Sequence, residues 1–257
     1  MIKLNVLNLV WDNKKKRLNS DFVSVPDAGI RTLKQERNVL MEPKDIDKNI
    51  YYMFRDVHAN IDEKFFRKNH VRFDITAIPP YKVGKEEIKT LGHYHPYLKG
   101  KKIAYPEIYQ VLHGTGMFLI QKKKYGKIVD VILFEGKAGD KIVIPPGYGH
   151  ITINPSHKVL IMANLVSDKF DSVYKDIIQK HGAAYYGIKL KKTLKFIKNK
   201  SYKEKTNLRR LKLNNPFNLI NGKNIYEEFV ENPHRYDFLN KPYLYKMQWD
   251  EVIRTKK

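Results

Sequence analysis

Two histidines separated by one residue, His93-Tyr94-His95, are the side chains in this chain best suited to chemistry. On an extended segment side chains alternate, so both imidazoles point to one side and can reach one ion. A lone His-x-His is more often a pair of surface or strand histidines than a ligand set. Here Glu107 and His150 follow as the natural third and fourth ligands. Three neutral nitrogens and one carboxylate oxygen suit a divalent transition metal with open positions: iron, manganese, nickel or zinc. The chain has no cysteine, which excludes thiolate ligands and disulfides.

These ligands need strands to hold them. Residues 71–78 alternate in polarity and stop at Pro79-Pro80. Strands are predicted over 108–113 and 117–122, joined through Gly114-Thr115-Gly116. Others follow over 128–134, 141–144, 151–154, 159–164 and 184–188. Many short strands punctuated by Gly and Pro argue for a closed β-barrel or jelly roll. Upstream, 31–40 reads as a strand or a short helix. Residues 50–54 form an apolar, aromatic run of strand length that covers one end of the barrel. A short helix is expected over 62–68 with Phe65 and Phe66 inward. Asp168 is expected to cap a helix running to Lys180, stopped by Gly182. The densely basic 189–210 reads as a solvated strand and loop. From Pro216 onward, short apolar pieces read as an arm or small helices on the barrel or on a partner subunit.

The chain has 257 residues, enough for one large β domain with elaborations. The expected organisation is an N-terminal extension over 1–58, a barrel with the metal site over 59–190, and a basic C-terminal extension over 191–257. The fold class is all-β, with a few peripheral helices. No apolar run is long enough to span a membrane, and the N-terminus lacks the apolar core of a signal peptide. A cytoplasmic protein is the expectation. The net charge is +22, from 49 Lys+Arg against 27 Asp+Glu. Such a field attracts anions, from phosphorylated metabolites to nucleic acid. Abundant Lys, Asn and Ile also fit the bias of an AT-rich genome, and that reading is favoured over nucleic-acid binding. Aromatic residues are sparse in the basic stretch, so no stacking platform is evident.

The downstream spacing is the specific part. Six residues lead from Glu107 to Gly114. From Gly139, five lead to Pro145, one more to Gly147, two to His150 and three to Asn154. This resembles the two metal-binding motifs of the cupin superfamily, whose barrel is a double-stranded β-helix or jelly roll. The second motif matches position for position. The first departs twice: position 87 is Glu, and eleven residues separate His95 from Glu107, a wider gap than in ordinary cupins. The added loop carries Lys99, Lys101 and Lys102, placed beside the pocket mouth to attract phosphate or to be solvated.

More narrowly, the chain resembles the cupin-type phosphoglucose isomerases found mainly in archaea. The matching pieces are Arg72-Phe73-Asp74-Ile75-Thr76, Lys89-Thr90-Leu91-Gly92-His93-Tyr94-His95, Pro106-Glu107-Ile108-Tyr109, Gly114-Thr115-Gly116 and Ile144-Pro145-Pro146-Gly147-Tyr148-Gly149-His150. They cover roughly residues 50–190. The resemblance implies one divalent metal per chain, iron first, on His93, His95, Glu107 and His150. It implies a phosphosugar pocket using Thr76, Thr90, Gly92 and Tyr109. Hydroxyls, a glycine N–H and a phenol can bond phosphate and sugar oxygens without adding negative charge. On residue type alone, Thr76 and Thr90 would be ordinary strand threonines. Tyr109, two residues after Glu107, faces the same side of a strand. Short family members carry a tyrosine and a histidine soon after the last barrel strand. Here 164–170 has neither, and Tyr174 is assigned one of those roles.

The activity implied is aldose–ketose isomerisation of glucose 6-phosphate and fructose 6-phosphate, with Glu107 as catalytic base. A homodimer is expected, braced by apolar material at 51–54 and 243–245. The alternatives are another cupin enzyme, such as a dioxygenase or a different sugar-phosphate isomerase, or a non-catalytic sugar-binding cupin.

Overall fold

The computed structural model describes residues 1–190 and 193–254. Lys191 and Lys192 of the basic stretch lie outside the described residues. In chain order, β1 (Ile2–Lys3), β2 (Val10–Asp12) and β3 (Arg17–Asn19) form a small antiparallel meander. Then come β4 (Gly29–Thr32), helix α1 (Leu33–Glu36) and β5 (Asn49–Phe54). Helix α2 (Glu63–Asn69) precedes β6 (Val71–Ile78) and the short β7 (Lys82–Val83) and β8 (Glu86–Glu87). The barrel continues with β9 (Glu107–His113), β10 (Thr115–Lys124), β11 (Lys127–Lys137), β12 (Lys141–Ile144), β13 (Tyr148–Ile153) and β14 (Leu160–Ser167). Helix α3 (Lys175–Gln179), β15 (Tyr185–Leu190), β16 (Thr193–Lys198), β17 (Leu208–Arg210) and helices α4 (Ile225–Glu231) and α5 (Lys246–Val252) complete it.

Two sheets make the barrel. One has six strands in the order β12-β9-β14-β6-β5-β4, and the other four, β13-β10-β11-β17. This is the β-barrel with a few peripheral helices that the strand pattern predicts. The four-stranded sheet is apolar on both faces. Phe118, Ile120, Ile132 and Phe134 join the main core. Met117, Leu119, Val131 and Leu133 pack outward on a second core with Tyr202 and Ile177. That is why β10 reads as an unbroken apolar run rather than an alternating one.

The six-stranded sheet is two-faced in another way. On β6, Val71, Phe73, Ile75 and Ala77 belong to the main core, while Arg72, Asp74 and Thr76 face a cavity. The core side is covered by both chain ends. Phe73 meets Tyr226 at 5.1 Å between ring centroids, and Phe66 meets Phe229 at 5.2 Å. The C-terminal pieces therefore pack on their own barrel. Phe217, Phe238 and Trp249 form an aromatic knot there. Asn224 accepts the Glu227 N–H at 2.9 Å to cap α4 and donates to the Asn5 carbonyl at 2.9 Å, joining the two chain ends.

Two expectations need correction. The boundary at 58/59 falls inside a sheet, because β5 pairs with β6 and β4 with β5. The run 50–54 is thus a barrel strand, buried in its own sheet and unavailable to brace a second subunit. The helix expected from Asp168 shrinks to α3. Val173 instead exchanges backbone hydrogen bonds with Tyr94, at 2.8 and 3.0 Å, which holds the preceding residues extended along the cavity. The basic stretch holds the part-exposed strand β16 and a loop, as expected, and adds β17, parallel to β11, with Arg209 paired to Asp130 at 2.7 Å. The ambiguous 31–40 is both things: β4 runs into α1, capped by Thr32 with Gln35 in a reciprocal box.

Helix α1 buries a carboxylate. Glu36 is fully buried beside Tyr51, Lys89 and Arg31, and neither of its oxygens makes a well-formed hydrogen bond. Burial pushes its carboxyl up to about 8, against the opposing pull of Lys89, Tyr51 and Arg31. An unfolded glutamate loses its proton above 4.5, so between that value and about 8 the folded chain holds one proton more. Stability must therefore fall as pH rises through that window. Glu36→Gln keeps the shape and removes the titration. Its melting temperature should exceed that of the parent by a few degrees near pH 8 and converge toward it near about pH 5. Parallel melting curves across that range would contradict the assignment.

Candidate metal centre and substrate cavity

The ligand side chains come from three places in the chain. Glu107 opens β9, and His150 lies on β13. His93 and His95 stand on an extended segment that runs antiparallel to β13. It is pinned by pairings Lys89↔Ile153 and His93↔His150. The two pairings differ by one residue in register, so one extra residue is absorbed between them. Gly92 absorbs it, with φ +83°. A Cβ there would lie 2.3 Å from Ile151 Cγ1, so only glycine fits. The bulge has a chemical result. Thr90 and Gly92, then His93 and His95, all face one cavity, which strict alternation would forbid.

The four ligand atoms lie within 4.8 Å of one another. His93 Nε2 is 3.1 Å from His95 Nε2. Glu107 Oε2 is 3.4 Å from His95 Nε2 and 3.1 Å from His150 Nε2. Two atoms each about 2.1 Å from a shared ion stand roughly 3.0 Å apart at right angles and roughly 3.4 Å apart at the tetrahedral angle. The cluster has the spacing of a ligand set. His95 Nδ1 is 3.0 Å from the Tyr105 carbonyl, so it donates there and leaves Nε2 free to ligate. The long loop after His95 thus returns to fix its ring. Phe170 packs on the same imidazole at 4.5 Å and on Tyr105 at 4.7 Å.

Protonation follows from burial and neighbours. Burial, then the adjacent imidazoles, hold His93 well below its ordinary value. Burial also lowers His150. For Glu107, burial pushes upward, but the neighbouring His150 and His95 rings outweigh it and hold the carboxyl well below the usual range. Burial and the Glu107 charge keep Tyr109 neutral, far above its normal titration. Neutral imidazoles and an ionised carboxylate are the forms that bind a cation.

The cavity measures about 280 Å³. Its floor is the six-stranded sheet, where β5, β6, β14 and β9 each present alternate residues. Thr76, Thr90, Gly92, Tyr109 and Tyr174, singled out in the sequence, all stand on its wall. Tyr109 Oη is 3.1 Å from His150 Nε2. Thr90 Oγ1 accepts the Thr152 N–H at 3.0 Å, which ties it to β13. Tyr174 lies 5.5 Å from the His93 ring centroid. Lys99, Lys101 and Lys102 are exposed and not on the wall. Lys101 instead sits over the Tyr243 ring at 4.7 Å. The sequence pointed to no place in the cavity for Tyr51, Arg55, Arg72, Asp74 or Asn164, which also line it. Counting back by twos from Thr76 reaches Asp74 and Arg72, so part of that signal was available.

The glucose-6-phosphate isomerase family matches this chain over residues 28–204. A glucose-6-phosphate isomerase of Thermococcus litoralis is 31% identical over 114 residues, 44% of this chain and 55% of that protein. One of Pyrococcus furiosus is 31% identical over 88 residues, 34% of this chain and 42% of that protein. The chain thus spans about half the length of the curated relatives it matches. Among solved structures, an oxalate oxidase in complex with glycolate is similar at TM-score 0.31 and 20% identity, covering 41% of this chain and 46% of that one. Bacillus subtilis oxalate decarboxylase is similar at TM-score 0.35 and 16% identity, over 50% and 29%. With the family match running from β4 through the metal cluster to the strands beyond α3, the chain belongs to the glucose-6-phosphate isomerase family.

Proposed function

We propose that the protein interconverts glucose 6-phosphate and fructose 6-phosphate in the cytoplasm, with one divalent ion, iron first, on His93, His95, Glu107 and His150. One observation carries the reading: the ligand cluster opens into a cavity whose wall carries Thr76, Thr90, Tyr109 and Asn164, hydrogen-bonding groups suited to a polyol, beside charged and apolar side chains. When bound, the metal supplies Lewis acidity toward the C1 and C2 oxygens of the open-chain sugar. The remaining work falls to side chains. Thr76, Thr90, the Gly92 N–H and Tyr109 orient the chain of hydroxyls, and Tyr174 closes the side near His93. Tyr109, being neutral, serves as a donor.

Glu107 takes the C2 proton of the aldose as base and delivers it to C1. The C2 hydroxyl proton leaves as the ketone forms, and the C1 oxygen gains one. The carboxylate is ionised, as a base must be, but its depressed basicity weakens the pull. That same observation favours a second route, in which hydrogen moves from C2 to C1 as hydride and Glu107 only ligates.

Three outcomes test this reading. Elemental analysis of the purified chain should show one divalent ion, and His93→Ala and His150→Ala should each lose most of it; unchanged content in both would remove the metal site. Glu107→Gln at saturating metal should lose at least about a hundredfold in kcat, since the amide keeps size without basicity. Near-normal turnover would rule out the base. Solvent deuterium appearing in product would favour proton transfer, and its complete absence across temperature would favour the hydride route.

A homodimer is also proposed, now resting on exposed apolar residues of the C-terminal segment, with Leu244 at 64% and Met247 at 82% exposure. Light scattering at micromolar concentration should give twice the chain mass; a monomer would overturn it.

A further inference from the structure

The positive charge is not spread evenly over the molecule. Three stretches, 122–130, 175–180 and 193–210, hold thirteen Lys and Arg against three Asp and Glu. They supply ten of the net +22 charges from 33 of the 257 residues. The fold joins them. Thr206 Oγ1 donates to the Ile128 carbonyl at 2.7 Å, and Asn199 Nδ2 to the Lys180 carbonyl at 2.8 Å. Tyr202 and Ile177 share the second core beneath. None of these residues lines the metal-site cavity. Codon bias acts along a whole chain. It gives no reason for acids to be scarce in three segments that meet only in the fold.

The three acids do not neutralise the surface. Asp130 is held by Arg209 and by Tyr148 Oη, each at 2.7 Å, and Asp176 by Lys123. One carboxylate oxygen of Glu204 is buried. Eight of the cations are exposed and make no ion pair among the described residues. Crowded like charges repel, and a polyanion relieves them together.

Shape selects the polyanion. β10 pairs with β13 only as far as Lys122, and β11 pairs with β17 only from Val131. Between these points the hairpin projects as a free two-stranded ribbon. Its turn, Tyr125-Gly126, has φ of +49° and +75°, the backbone of a tight two-residue hairpin. Lys124 and Lys127 pair across the ribbon beside the turn, and both are exposed. Lys200, Lys203 and Lys205 are exposed on the adjoining loop. The major groove of B-form DNA, about 12 Å wide, admits a two-stranded β-ribbon, with phosphates on either side for flanking lysines. Among the described residues of these stretches, Tyr125 is the one exposed aromatic, at 93%. The surface therefore lacks a platform for stacking the bases of a single strand.

We propose that this face binds duplex DNA, with the β10–β11 ribbon entering the major groove and the lysines of the 199–207 loop on the phosphates. Seven of the eight exposed cations are lysines, point charges that meet phosphate without reading bases, so the contact is blind to sequence. It is independent of the isomerase activity.

The test uses the metal-loaded full chain and a mixed-sequence duplex, read by fluorescence anisotropy as salt is raised. The logarithm of affinity should fall against that of salt with a slope of about −4 or steeper, since each neutralised phosphate contributes about −0.9. Combining Lys124→Glu, Lys127→Glu, Lys203→Glu and Lys205→Glu should weaken binding at least about a hundredfold at about 50 mM salt. Combining Lys14→Glu, Lys15→Glu, Lys64→Glu and Lys68→Glu, four exposed lysines elsewhere, changes the net charge equally and should weaken it less than about fivefold. Thermal melting checks the folding of both. If the first set does not fold, the pair Lys203→Glu and Lys205→Glu decides against Lys14→Glu and Lys15→Glu, with a loss of at least about tenfold expected. Equal losses in the two sets would mean that net charge alone attracts DNA, and would overturn the site. Equal affinity for a single strand of the same length would overturn the ribbon in the groove. Tighter binding at the same salt to phosphatidylcholine vesicles containing about 30% phosphatidylserine would assign the face to lipid instead.

Discussion

The site depends on a pair of backbone hydrogen bonds. The His93 N–H donates to the His150 carbonyl at 3.2 Å, and the His150 N–H returns to His93 at 3.0 Å. These bonds bring together two segments far apart in the chain and set two imidazoles 4.4 Å apart, centroid to centroid. They form only because Gly92 lets the segment approach Ile151 closely. Any side chain at 92 would push the first motif off β13 and open the ligand set. The candidate metal ligands are thus placed by main-chain geometry, and their side chains need only finish the reach. Main-chain placement is stiff, which suits ligands that must present neutral nitrogens at fixed spacing.

Around this pin the six-stranded sheet divides its labour by face. The cavity face carries Arg72, Asp74 and Thr76 of β6, Asn164 of β14 and Glu107 and Tyr109 of β9, beside the apolar Met162 and Val166; the opposite face is mostly apolar and lies under the two chain ends. Burying the outer face under the chain ends stiffens the floor of the cavity. It also lets a charged cluster such as Arg72, Asp74 and Arg55 exist at a cavity edge, since partners at hydrogen-bond distance offset the cost of partial burial.

Much of this was legible in the sequence, for identifiable reasons. The strand over 71–78 and the one over 141–144 end where expected, because Pro79-Pro80 and Pro145-Pro146 cannot continue a ladder. The metal cluster was legible because its spacing is unusual. What failed was non-local. Helix expectation beyond Asp168 was reasonable on periodicity, but Val173 had a better backbone partner in Tyr94. The edge of the barrel could not be drawn at residue 58, since nothing in 50–54 announces which strand it will join. The cavity wall was only half readable: alternation relates Arg72 to Thr76, but no local pattern announces the bulge that puts Thr90 and His93 on one side, or the turn that swings Arg55 in.

Gln110 shows what the C-terminal cap does for the cavity. It sits on β9 immediately after Tyr109 and points the other way, donating to the Lys223 carbonyl at 3.4 Å and accepting the Ile225 N–H at 2.9 Å. On a strand, a slip of one residue exchanges the two faces. Such a slip here would send Gln110 into the cavity and bury Tyr109 beneath α4, and Glu107 would turn away from the histidines. The hydrogen bonds at Gln110 make that exchange costly, because they leave buried polar groups unmet when broken. The cap behind the sheet therefore acts as the reading-frame key of β9, and damage to it would reach the candidate metal centre as a change of parity.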